Sequence, residues 1–245
     1  MNGPIAISAD AAPPARAALS APSLPIPRYL EQVYWWAYVH PKAVHLFERE
    51  WLVNAILFGN YGRLRDAALA RLGKTIQGAT LQVACVYGDL TVRLQRRLAA
   101  DAGLDVIDIL PIQLKNLGKK LVADERVALL HGDSSSLACP DASYDQVLLF
   151  FLLHEQPEAV RRATLAEALR VVKPGGKIVI VDYHRPSAWH PMRPLMQLVF
   201  RKLEPYAMDL WRHELAEFMP PDARLASLSK RTYFGGLYQM LELTR

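Results

Sequence analysis

The residues of this 245-residue chain best suited to chemistry are polar side chains that close a series of short apolar runs. Asp108 ends the run 104–110, Asp133 and Ser134 follow 127–130, His154 and Glu155 follow 144–153, and Asp182 and His184 follow 177–181. Asp89 stands in the turn after the run 81–86. Carboxylates accept hydrogen bonds from hydroxyls, imidazoles exchange protons near neutral pH, and both ligate divalent ions that prefer oxygen and nitrogen donors. Each has a structural alternative. Asp108 could cap a strand end, the Gly132-Asp133-Ser134 turn could be purely local, and either histidine could be a hydrogen-bonded structural residue or a general base.

The elements that must position these side chains follow from the alternation of apolar runs and helical patterns. Strands are expected at 81–86, 104–110, 127–130, 144–153 and 177–181, and helices at about 91–100, 113–121 and 159–172. The last helix is stopped by the breaker Lys173-Pro174-Gly175-Gly176. Strands alternating with crossover helices give an α/β class with a mostly parallel, Rossmann-like sheet. Ligands of such sheets bind outside the carboxyl ends of the strands, where all of the residues above converge.

Flanking segments divide the chain further. Residues 1–27, rich in Ala, Pro and Ser, read as a disordered leader, with an organellar transit peptide as the alternative. Residues 28–75 form an aromatic helical segment in which Val44, Phe47, Trp51, Ala55 and Phe58 recur at helical spacing. That stripe packs on the sheet or forms a lid over an apolar substrate. After the core at 76–184 comes a cap insertion at 185–230. Its apolar run 195–203, rimmed by Arg193, Arg201 and Lys202, suits a buried helix or a membrane surface. Residues 231–245 supply a C-terminal strand completing the sheet.

Composition excludes several classes. No stretch reaches the roughly 20 apolar residues of a membrane span. The net charge of +5, spread without long basic runs, is a weak pointer to an anionic membrane surface or nucleic acid; an ordinary basic enzyme is the plainer reading, and no nucleic-acid partner is expected. The two cysteines, Cys85 and Cys139, lack ligand or disulfide-framework spacing, which fits a reducing cytoplasmic setting.

The runs DASYDQVLLFFLLHEQP and EALRVVKPGGKIVIVD, at 141–157 and 167–182, resemble class I methyltransferases that use S-adenosylmethionine (SAM), and in particular the quinone and menaquinone group. The resemblance covers about residues 78–184. It implies that Asp108 binds the cofactor's ribose hydroxyls and that Asp133, with Ser134, binds the adenine amino group. The family's first motif, an acid followed by a glycine-rich turn, departs here to Gln82 followed by VACVYGD. Gln82, Val83, Ala84 and Gly88 occupy its cofactor-binding positions, and only Gly88 keeps the glycine.

Four further runs, YWWAYVHPKA, VACVYGDLT, VDYHRP and FGGLYQ, resemble the rhodoquinone biosynthesis proteins across nearly the whole chain beyond the leader. That resemblance implies conversion of ubiquinone to rhodoquinone, with an amino group from SAM replacing a ring methoxy group, and manganese as a cofactor. It implies an enzyme peripherally associated with the inner membrane that holds its substrate. His154, Asp182 and His184 are the candidate manganese ligands, and Tyr87, His154 and Asp182 the candidate catalytic residues. Neutral Gln82 offers a physical reason for amino transfer, since an acid beside the SAM amine would hold it as a non-nucleophilic ammonium. A conventional quinone or lipid methyltransferase and a non-catalytic quinone-binding scaffold are the alternatives.

Overall fold

The computed structural model describes residues 24–34 and 49–245. Most of the leader, the segment containing Val44 and Phe47, and most of the YWWAYVHPKA run lie outside the described residues.

Seven strands form one sheet: β1 (Ala79–Val83), β2 (Gly103–Asp108), β3 (Val127–His131), β4 (Tyr144–Phe150), β5 (Val172–Tyr183), β6 (Ser227–Tyr233) and β7 (Tyr238–Thr244), in the order β3-β2-β1-β4-β5-β7-β6. Pairing is parallel from β3 to β5, and β7 runs antiparallel to both neighbours. Central strands such as β4, with Val147, Leu148 and Leu149 wholly buried, read as continuous apolar runs because helices cover both faces. The N-terminal helices are α1 (Arg28–Val33), α2 (Glu50–Ile56) and α3 (Tyr61–Leu72), the last burying Tyr61, Leu64, Ala68 and Leu69 in the larger core cluster. Crossover helices α4 (Leu90–Gln95), α5 (Pro111–Gly118) and α6 (Glu158–Val171) connect the parallel strands. The sheet order reverses between β1 and β4, which places a crevice at their carboxyl ends.

Several boundaries differ from the expected ones, each for a local reason. β1 stops at Val83 because Ala84 takes φ 71°, and β4 stops at Phe150 because Phe151 takes φ 53°. Both residues leave the strand in the left-handed region, which L side chains seldom adopt. The expected breaker at 173–176 lies inside β5. It interrupts the pairing with β4 instead of ending the element, and Gly175 and Gly176 exchange backbone hydrogen bonds with Arg245. Residues 231–245 form the end of β6 and all of β7, and β6 begins within the span read as cap. In the aromatic stripe, Trp51 is 62 % exposed and Ala55 is also exposed, whereas Leu57 and Tyr61 are buried.

The cap is built on α7 (Arg193–Lys202), whose Met196 and Phe200 face inward, followed by short helical turns through Phe218. Phe200 meets Tyr183 at the end of β5, with ring centroids 5.0 Å apart. A fully buried Arg161 from α6 fastens cap to core. It donates to the carbonyls of Leu153 (2.8 Å), Gln156 (2.9 Å) and Tyr206 (2.9 Å) and stacks over Phe218 at 4.6 Å. Burial depresses its pKa, with Asp209 and Asp182 opposing the shift. Arg161→Met leaves those three carbonyls without their donor, so stability should fall by about 3 kcal/mol in urea denaturation. A loss under about 1 kcal/mol would mean that the cap holds without this fastening.

Candidate active site

A cavity of about 1370 Å³, its open mouth included, occupies the crevice at the strand ends. The β1 turn contributes Ala84, Cys85, Val86 and Tyr87, β2 contributes Asp108, and the β3 turn contributes Asp133 and Ser134. The β4 turn contributes Phe151, His154, Glu155 and Gln156. The N-terminal helices close it with Tyr29, Leu30, Val53, Ile56, Leu57 and Tyr61. The described part of the aromatic segment therefore serves both as packing and as a wall of the site.

At one end Asp108 accepts the backbone N–H of Cys85 (2.7 Å) through Oδ2 and that of Leu110 (2.8 Å) through Oδ1. Burial raises its pKa to about 6 against the pull of those donors. The Cys85 thiol also hydrogen-bonds this carboxylate, which retains acceptor capacity for a further donor such as a hydroxyl. Asp133 Oδ1 accepts from the backbone N–H and hydroxyl of Ser135 (2.8 and 2.7 Å). Ser134 Oγ stands between Thr164 Oγ1 and Gln156 Nε2, each at 3.0 Å. Tyr87 also lines the wall, and its hydroxyl accepts from Gln113 Nε2 at 2.8 Å.

At the other end Asp182, with no exposed surface, accepts four hydrogen bonds. Oδ2 takes the backbone N–H of Leu153 (2.9 Å) and His154 (3.2 Å), while Oδ1 takes that of Tyr183 (2.7 Å) and contacts His154 Nδ1 at 2.9 Å. This carboxylate orients His154 so that Nε2 points toward Glu155 Oε1 (3.7 Å) and Glu204 Oε2 (3.9 Å). Burial disfavours charge on the imidazole, but Asp182, Glu204 and Glu155 outweigh it and push the pKa up to about 9. The site thus presents a proton-bearing imidazole fixed among carboxylates.

Several of the expected site residues lie off the cavity wall. Gln82 is buried and turned away from the cavity, its Nε2 donating to the Ala84 carbonyl and its Oε1 accepting from Thr91 Oγ1, both at 3.0 Å. Its amide shapes the β1 turn and does not line the cavity. Val83 is buried in the core, and Gly88 faces Tyr61, whose hydroxyl a Cβ at that position would strike.

The manganese set is not assembled either. Asp182 is saturated, and His184 lies off the cavity wall with Nδ1 on the Gly236 carbonyl (2.8 Å) and Nε2 on Lys230 Nζ (2.9 Å). Asp89 is paired with Arg65 and Arg93. Among the described residues no three His, Cys, Asp or Glu side chains are grouped as a metal site. Manganese does not fit this donor set. Missed in the sequence were Tyr29, Gln156 and Glu204; only Tyr29, within the aromatic block, carried a signal.

Residues 80–176 match the family model of a methyltransferase domain. Demethylmenaquinone methyltransferase of Bacillus licheniformis is 29% identical over 71% of this chain and 78% of its own length. The Halalkalibacterium halodurans enzyme of the same name is 27% identical over 78% and 82%. In structure, an O-methyltransferase family protein from Burkholderia thailandensis superposes with a TM-score of 0.60 at 17% identity, over 84% of this chain and 63% of that one. A SAM-dependent methyltransferase from Aquifex aeolicus gives 0.52 at 16% identity, over 83% and 97%. This chain has the class I SAM-dependent methyltransferase fold. In that fold the carboxyl ends of β1, β2 and β4 meet at the sheet reversal, where the cavity lies.

The pKa of Asp108 supplies a test of its role. Affinity for S-adenosylhomocysteine, measured by titration calorimetry, should fall as pH drops through about 6, because protonation removes an acceptor oxygen. Asp108→Asn should weaken binding at least tenfold, about 1.4 kcal/mol. The stability effect has the opposite sign. A carboxyl whose folded pKa is raised opposes folding wherever it is ionised, so the contribution of this group to wild-type stability should rise as pH falls through about 6. Unchanged affinity across this range would remove Asp108 from cofactor binding.

Proposed function

We propose that the chain binds SAM in this cavity and acts on a lipid quinone. The finer reading, which its runs share with the rhodoquinone biosynthesis protein RquA, is replacement of a methoxy group of ubiquinone by an amino group from SAM. One observation carries it. The wall where the cofactor's amine would lie is formed by Ala84, Cys85, Val86 and Tyr87, with no carboxylate among them and with Gln82 turned inward. The β1 turn itself thus supplies no anion to hold an amine as ammonium, which favours its neutral, nucleophilic form. Asp108 and Asp133 would bind ribose and adenine. The aromatic walls from Tyr29, Tyr61, Phe150, Phe151 and Tyr183 suit a planar ring.

A second reading, methyl transfer to a quinone, is favoured by the demethylmenaquinone methyltransferases among the relatives. The two readings part on the product. Purified protein incubated with short-chain ubiquinone and SAM labelled with nitrogen-15 at the amine should yield a labelled aminoquinone by mass spectrometry. A methylated quinone and S-adenosylhomocysteine would instead establish methyl transfer.

A lipid substrate also requires access to a membrane. No described helix is long and apolar enough to cross one. The outer face of α7, however, exposes Leu195 and Leu198 beside Arg201 and Lys202, with Trp189 95 % exposed just before it. Exposed leucines flanked by cations suit the interface of an anionic bilayer. The protein should float with anionic vesicles, and Leu195→Asp with Leu198→Asp should abolish flotation. Equal flotation of the double variant would place the contact elsewhere.

A further inference from the structure

The cap does more than cover the cavity, because it delivers a charged side chain into it. Glu204 follows the end of α7 and reaches the cavity wall beside His154. Its Oε2 is shut off from solvent and makes no hydrogen bond of full geometry, with the equally buried Tyr34 hydroxyl beside it. The separation of 3.9 Å from His154 Nε2 is too long for a hydrogen bond. Glu155 Oε1, at 3.7 Å from the same nitrogen, is also beyond that range. His154 cannot rotate toward Glu204, since Asp182 fixes its Nδ1.

A buried carboxylate oxygen that is only partly satisfied costs up to about 1 to 3 kcal/mol, so its presence on a cavity wall marks a place that a bound molecule can complete. The shape of the surroundings narrows the molecule. His154 packs edge-on against Tyr183 and Phe151, with centroids 4.8 and 6.0 Å away. The ligand must therefore present a polar atom at the edge of an otherwise apolar, flat body.

We propose that Glu204 is an acceptor-binding residue supplied by the cap, and that Glu204 Oε2 and His154 Nε2 together receive one ring oxygen of the quinone. This rests on the reading of the cavity as a quinone site. A carbonyl oxygen has two lone pairs and can take a hydrogen bond from the imidazole N–H and another from a protonated carboxyl. Burial raises the pKa of Glu204 against the pull of His154 and the Tyr34 hydroxyl, and removal from water on ring binding adds to the same direction. The Asp108 end is left to the cofactor, so the two ligands would meet across Phe151 and the β1 turn. Because Glu204 stands next to α7, seating of the cap and binding of the ring become one event.

The test titrates a short-chain ubiquinone into protein saturated with S-adenosylhomocysteine, using the wild type, Glu204→Gln and Glu204→Leu, and separately titrates S-adenosylhomocysteine into each. Affinity for S-adenosylhomocysteine should stay within about twofold in all three, which also verifies folding, while Glu204→Leu should lose at least tenfold in quinone affinity, about 1.4 kcal/mol. Glu204→Gln, whose amide still donates, should retain most of it. Quinone binding by Glu204→Leu equal to wild type overturns the proposal, as does a parallel loss of both ligands, which would make Glu204 structural. If wild type binds S-adenosylhomocysteine but no quinone, the quinone reading fails first and the inference falls with it.

Discussion

The carboxylate of Asp182 is the constraint on which the polar end of the site depends. A wholly buried charge is costly, and Asp182 is tolerated because four donors from Leu153 and His154 of the β4 turn and Tyr183 of β5 surround it. The β4 turn is thereby fixed to the end of β5, His154 is held in a single orientation, and its one remaining nitrogen faces the cavity. Arg161 completes the arrangement from the other side, binding the carbonyls of Leu153 and Gln156 while the carboxylate binds the amides. The short turn is thus held through both its donors and its acceptors, as the enforced left-handed conformation of Phe151 demands.

The strands were largely legible in the sequence, because fully buried parallel strands announce themselves as apolar runs closed by polar residues. Their ends were not. Ala84 and Phe151 turn the chain at positive φ without a glycine to signal it, and the Pro174-Gly175-Gly176 breaker lies within a strand because Arg245 pairs with it where β4 does not. Asp108, Asp133 and His154 reach the cavity, whereas Gln82, Val83, Gly88 and His184 do not. Proximity to a strand end fixes a residue's height above the sheet but not the direction of its side chain. Saturation was equally invisible. Asp182 reads like a ligand in sequence, yet its lone pairs are spent on the fold. Glu204 was overlooked because only the tertiary path of the cap brings it to His154.

The cavity is divided in its chemistry along its length. Its β2–β3 end offers carboxylates with free acceptor capacity, and its cap end offers an imidazole among acids within an aromatic wall. The sheet supplies the first and the appended segments much of the second. That division fits a common fold in which the cofactor half is set by topology and the acceptor half by what is attached around it.

Ala84 carries an evolutionary consequence. Alanine at φ 71° holds a conformation that glycine adopts without strain, so the β1 turn keeps the path of a glycine turn while bearing a methyl group there. Alanine and glycine codons differ by a single base. Drift between the two residues at this position would leave the backbone trace intact, so the chemistry of the loop can diverge while the scaffold stays silent. Glycine count in this loop is therefore a poor clock for loss of function.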